Sequence, residues 1–96
     1  MSRRRYLVTY DIADDKRRTV TFNTLKDFGE HLQYSVFLCD LNDRERIRLR
    51  GLLGEAVNHR EDQILIVDLG QAEADIVNII GSIGKDFTMI SRTMVV

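Results

Sequence analysis

The 96-residue chain contains no proline, no low-complexity tract and no linker rich in glycine and serine. Without such breaks, and without a repeat at solenoid spacing, it reads as one domain spanning 1–96, because two independent cores do not fit this length. A single cysteine, Cys39, excludes an internal disulfide and a cysteine-based zinc site. Its neighbours Phe37, Leu38 and Leu41 suggest a packed thiol. No apolar run reaches the length of a membrane span. The start Met1-Ser2-Arg3-Arg4-Arg5 is basic, but Thr9 and Asp11 interrupt the apolar stretch behind it, which is too short and too polar for an export signal. The chain is therefore read as cytoplasmic, with no membrane partner. Glycine-rich nucleotide loops, a Walker motif and a dinucleotide fingerprint are missing. His31 and His59 lie outside any zinc-ligand spacing, and Ser35 has no base at triad spacing.

What is present is the composition of a folded globular domain, 44% hydrophobic and 30% charged. A net charge of −1 argues against a generic nucleic-acid binder. The charge is nevertheless uneven. Residues 1–18 carry six basic groups against three acidic ones, and residues 63–96 carry two against four. One end of the molecule can thus be positive, and a symmetric dimer would double that patch.

Residues 5–12 predict a strand with Tyr6, Val8, Tyr10 and Ile12 on one face and Leu7, Thr9 and Asp11 on the other. Asp14 or Asp15 caps a helix that runs to about Phe28, with Phe22, Leu25 and Phe28 at spacing three, Val20 nearby and Gly29 as a left-handed stop. Residues 30–40 read as extended, with a polar break at Tyr34-Ser35 that bends the strand or divides it into a short hairpin. Asn42 and Glu45 resemble a capping box, opening a second helix over 43–57 with Leu49, Leu53, Ala56 and Val57 inward. A polar loop at 58–62 leads to a strand over 63–69, whose unbroken apolar run predicts a central position. Residues 72–80 read as a short turn and then a strand ending at Gly81, and 87–96 as an apolar terminal strand suited to pairing with another chain. The order is that of an α+β, ferredoxin-like split βαβ (β-α-β-β-α-β) with extra C-terminal strands. Helices on one sheet face and apolar residues on both predict a homodimer through the second face.

Asp11 is the sharpest candidate for chemistry, a carboxylate ending a strand on an apolar face. One reading makes it a cap or an ion-pair partner for Arg17 or Arg18. The other brings two copies together as a site for Mg²⁺ or Mn²⁺ that activates water against a phosphodiester. Asp14 and Asp15 either join that site or cap the helix. Lys16, Arg17 and Arg18 stand in a first helical turn, where the macrodipole disfavours cations, so phosphate contact competes with a solvated basic turn. Arg3, Arg4 and Arg5 read as a flexible arm. Arg44, Arg46, Arg48 and Arg50 form no single stripe.

Tyr10-Asp11-Ile12, then Asp14-Asp15-Lys16-Arg17-Arg18, then Gln33-Tyr34-Ser35-Val36-Phe37, taken in this order and spacing, resemble the family of small CRISPR-associated proteins called Cas-two, the partners of the Cas-one integrase. The likeness covers residues 5 to about 70. His31 stands where many members have arginine. The resemblance implies a ferredoxin-like homodimer that bridges integrase dimers and holds incoming duplex DNA during spacer acquisition. It also implies a metal-dependent endoribonuclease or deoxyribonuclease activity on RNA or DNA, single-stranded RNA included. In that assignment Asp11 from each protomer is the catalytic and metal-binding residue, with Mg²⁺ or Mn²⁺ as cofactor. Arg18 matches the helix arginine of the family pattern, while Tyr10, Ser35 and Phe37 carry its motif and dimer positions. Residues 71–96 are then a docking extension toward the partner protomer or the integrase. The competing reading is a dimerisation or regulatory module of the same fold with no nucleic-acid role.

Overall fold

The computed structural model describes residues 3–73 and 79–85. Its elements are β1 (Arg4–Asp11), α1 (Asp15–Lys26), β2 (Glu30–Gln33), β3 (Val36–Leu41), α2 (Asp43–Ala56) and β4 (Gln63–Gln71). The four strands form one antiparallel sheet in the order β2-β3-β1-β4. Each helix connects two parallel strands that flank an antiparallel one, which is the expected split βαβ plan.

The alternation in β1 does what its period of two demands. Tyr6, Val8, Tyr10 and the following Ile12 are buried beneath the helices. They meet Phe37, Cys39 and Leu41 of β3, Leu25 of α1, and Leu49 and Leu53 of α2, so the thiol is packed as expected. Ala56 and Val57 are only half-buried, and Val20 is exposed. Asp14 is the cap of α1, accepting the Arg17 backbone N–H at 3.0 Å. Asn42 and Glu45 close the capping box of α2 from both sides, at 2.8 and 3.0 Å.

Several expectations need correction. β4 lies at the edge of the described sheet rather than at its centre. Its unbroken apolar run arises differently: Ile64 and Ile66 face the core, while Leu65, Val67 and Leu69 stand 49%, 44% and 48% exposed on the face without helices. Gly29 is no left-handed stop, since the glycines at positive φ are Gly70 and Gly84. α1 ends at Lys26, and Gly29 is required because a Cβ there would run into the Leu38 carbonyl oxygen and the Cys39 thiol. Arg3, Arg4 and Arg5 form no free arm. Arg4 pairs with Asp68 and Arg5 with Asp40, while Arg3 reaches the Asp40 carbonyl and Glu45. Arg5 is buried, which two hydrogen bonds to the Asp40 carboxylate make tolerable.

Residues 72–73 turn as expected, but 79–81 carry no strand. The remainder of that predicted strand and the terminal strand at 87–96 lie outside the described residues. Ile79, Ile80 and Ile83 border a hollow on the open sheet face together with Leu7, Val36, Leu38 and Leu69. Among the described residues, no helix is long and apolar enough to cross a membrane.

Candidate active site at the end of the first strand

Asp11 closes β1 opposite Gln63 of β4, on the same sheet face as Leu7 and Thr9. It is exposed, so burial exerts no cost on its charge. It does not serve as the ion-pair partner of either nearby arginine, because both are held elsewhere. Arg17 donates to Asp62 through Nε at 2.7 Å and through a terminal nitrogen at 3.2 Å, and also reaches Glu61. Arg18 donates to Asp15 at 2.5 Å and to the Ile12 carbonyl at 2.8 Å. The cations that looked misplaced at the helix start therefore have a structural account in two positions of three. Lys16, the third, is exposed, and no side-chain partner of it occurs among the described residues.

The polar loop at 58–62 contributes more than its composition suggested. The Asp62 side chain is inaccessible to solvent. It accepts from the backbone N–H groups of Ala13 and Asn58, at 3.0 and 2.8 Å, besides the Arg17 guanidinium. This carboxylate ties the α2–β4 loop to the turn leaving β1, and so fixes the backbone just beyond Asp11. Arg17 and those backbone donors hold Asp62 far below the ordinary carboxylate value of 3.8, with its burial opposing them. Asp68 is lowered as well, by Arg4 and the Gly70 N–H.

The sign of the resulting pH dependence follows directly. The unfolded chain protonates Asp62 first, so this carboxylate's stabilisation is complete above about pH 5 and disappears as pH falls through 3.8 toward the folded value. Asp62→Asn is expected to lower Tm at neutral pH by on the order of 10 °C. It should also flatten the fall in Tm between about pH 5 and pH 2. Thermal unfolding followed by circular dichroism checks both. Parallel Tm-against-pH curves for variant and wild type would remove Asp62 as the anchor.

The other motif residues come together on the far side of β1. The Tyr10 N–H donates to the Ser35 carbonyl at 3.1 Å. Burial raises the Tyr10 phenol's pKa, and the neighbouring Ser35 side chain opposes that shift. Phe37 stacks on Tyr10 with ring centroids 6.4 Å apart and is fully buried. Ser35 has φ of +64°, a left-handed conformation uncommon outside glycine, asparagine and aspartate. The break at Tyr34-Ser35 is thus a two-residue hairpin turn, fastened to the end of β1. Tyr10, Ser35 and Phe37 shape the ground on which Asp11 stands. Asp11 itself has no side-chain partner among the described residues.

Among the described residues, no group of three or more histidine, cysteine, aspartate or glutamate side chains converges on a common point. Asp14 and Asp15 do not join Asp11 in such a group, being engaged by the Arg17 N–H and the Arg18 guanidinium. Sequence reading missed Asp62, Asn58 and the Arg5–Asp40 pair. Their partners are distant along the chain, Arg17 and Asp62 being 45 positions apart, so no local pattern announces them.

Residues 4–76 match the family described as CRISPR associated protein Cas2. A protein from Geobacter sulfurreducens named CRISPR-associated endoribonuclease Cas2 is 43% identical over 91 residues, covering 95% of each chain. One from Rhodospirillum rubrum, named CRISPR-associated endoribonuclease Cas2 1, is 40% identical over 91% of this chain and 84% of its own. The crystal structure of Streptococcus pyogenes Cas2 at pH 6.5 superposes with a TM-score of 0.72 and 25% identity, covering 83% of this chain and 99% of that one. The four-stranded antiparallel sheet under two helices, the motif residues gathered around the end of β1 and these likenesses over nearly the whole length lead to one conclusion: the chain belongs to the Cas2 family of CRISPR-associated proteins.

Proposed function

We propose that this protein works in CRISPR adaptation as a homodimeric adaptor, bridging the Cas-one integrase and holding the incoming duplex DNA, with a metal-dependent endoribonuclease or endonuclease activity centred on Asp11. The observation that carries the reading is the contrast around β1. The neighbouring arginines are tied into the fold, whereas Asp11 is exposed and without a side-chain partner among the described residues. It ends a strand of the sheet whose helix-free face carries exposed Leu65, Val67 and Leu69 on the neighbouring β4. Exposed apolar side chains on a sheet face without helices favour association with a second copy.

The donor set of one chain suits a divalent metal only in part. A single carboxylate is too little for a site built within one chain. Two Asp11 carboxylates, one from each protomer, suit Mg²⁺ or Mn²⁺, which accept oxygen ligands and retain several waters. Bound there, the metal would supply Lewis acidity and an activated water for phosphodiester hydrolysis. The chain's own residues orient and anchor. Asp62 and Arg17 fix the turn after Asp11, the Tyr10–Ser35 backbone bond fixes the strand end, and Lys16 offers a phosphate contact from a turn shaped by Arg17 and Arg18. Residues 71–96 form the docking extension.

Reconstituted integration of a labelled duplex by the cognate integrase tests the adaptor role. Integration is expected only when this protein is present, and Asp11→Asn is expected to support it as well as wild type. An integrase equally active without the protein would end the proposal. Loss of integration with a folded Asp11→Asn dimer would move the carboxylate into the geometry of the assembly.

A further inference from the structure

The two-residue turn between β2 and β3 places an aromatic side chain where turn chemistry does not call for one. Short polar residues and glycine suit such positions, since they tolerate the geometry and lose nothing by standing in water. Here Tyr34 occupies the first position and is 78% exposed. No hydrogen bond or ring contact of its side chain occurs among the described residues. Its successor Ser35 stands at φ of +64°, a conformation that persists only where surrounding contacts impose it. Here the contact is the hydrogen bond from the Tyr10 N–H to the Ser35 carbonyl, 3.1 Å long. The strained turn is thereby locked to Tyr10, the residue immediately before Asp11.

We infer that Tyr34 is a stacking platform for a nucleobase of single-stranded nucleic acid, setting the position of one nucleotide relative to Asp11. The inference deepens the nucleic-acid reading above and rests on it. An exposed aromatic ring on a rigid turn offers a π-face at little entropic cost. A base already stacked within a duplex cannot use it without being splayed out. Stacking also makes no use of the 2′-hydroxyl, so the ring selects single strands over duplexes and does not distinguish RNA from DNA.

Fluorescence anisotropy with a labelled short oligouridylate, its deoxy counterpart and a duplex of the same length tests this, using the full chain and the variants Tyr34→Leu, Tyr34→Phe and Tyr34→Trp. Tyr34→Leu is expected to weaken both single strands about tenfold and leave the duplex unchanged. Tyr34→Phe and Tyr34→Trp should bind within about twofold of wild type, since either ring stacks. The salt slope of Tyr34→Leu should equal that of wild type, because no phosphate contact is removed. Single-strand affinity unchanged in Tyr34→Leu overturns the inference while leaving the proposed function in place. Equal losses in Tyr34→Phe and Tyr34→Leu overturn it in favour of a hydroxyl contact. A changed sedimentation coefficient for Tyr34→Leu overturns it in favour of a subunit interface. Wild type that binds none of the three probes overturns both the inference and the nucleic-acid reading beneath it.

Discussion

Asp11→Asn is expected to reduce metal-dependent cleavage of single-stranded RNA by on the order of 100-fold or more, with Tm within about 2 °C of wild type. The two halves of this expectation have separate physical origins. The carboxylate is exposed and holds neither Arg17 nor Arg18, so the fold loses no ion pair when its charge is removed. The pairing of Asp11 with Gln63 is a strand register, made by the backbone and left intact by an isosteric amide. A neutral amide is, however, a poor ligand for a hard divalent cation, and each dimer would lose both carboxylates at once. Cleavage assays with Mg²⁺ and Mn²⁺ titrated separately, beside thermal melts of the same preparations, read both halves. Full activity in a nuclease-free preparation of the variant would remove Asp11 as the metal ligand. A large fall in Tm would assign the carboxylate a structural role that its surroundings give no reason to expect.

The features that could be read from sequence are those whose cause is local. The inward set Tyr6, Val8, Tyr10 and Ile12 follows from a period of two. The cap at Asp14 and the box between Asn42 and Glu45 span three residues each, so their partners are written side by side. The Tyr34-Ser35 break was legible as a disruption of the strand pattern, though not the positive φ that makes it a tight turn. β4 shows where local reasoning fails. A continuous apolar strand arises either by burial between neighbours or by one face meeting the core and the other awaiting a partner, and both produce the same letters. Gly29 fails for a similar reason, because a left-handed turn and a close approach of another strand both demand the absence of a Cβ.

At the site, position was more legible than circumstance. Asp11 stands at the strand end on the face assigned to it. That it is exposed, and that its neighbouring arginines are engaged elsewhere, depended on Asp62 and Asp15. The first-turn cations illustrate the gap. An unfavourable macrodipole term of about 0.3–1 kcal/mol made phosphate contact an attractive explanation. The hydrogen bonds from Arg17 to Asp62 and Glu61 give that residue a different one, through a loop whose composition appeared merely solvated.

Phe37→Ala is expected to destabilise the domain by about 3–5 kcal/mol and to lower Tm by on the order of 20 °C. Phe37 is fully buried at the point where β3, β1, β2 and α1 meet. Its ring lies 6.4 Å from that of Tyr10, 5.5 Å from Phe22 and 4.9 Å from His31. Removing it leaves a cavity that rigid neighbours from several elements cannot collapse to fill. Since Tyr10 also anchors the Ser35 turn, the damage should extend to the ground beneath Asp11 without any lost contact to a ligand. Phe37→Leu, which retains most of the volume, should cost only about 1–2 kcal/mol and keep activity at temperatures where it is folded. Urea unfolding gives the stability change, and hydrogen exchange at the Tyr10 amide, bonded to Ser35, reports the local one. If Phe37→Ala unfolded at the same urea concentration as wild type yet lost activity, the ring would have to act on a ligand directly. Its complete burial argues against that, because a side chain beneath the sheet can influence a site on the surface only through the backbone it supports.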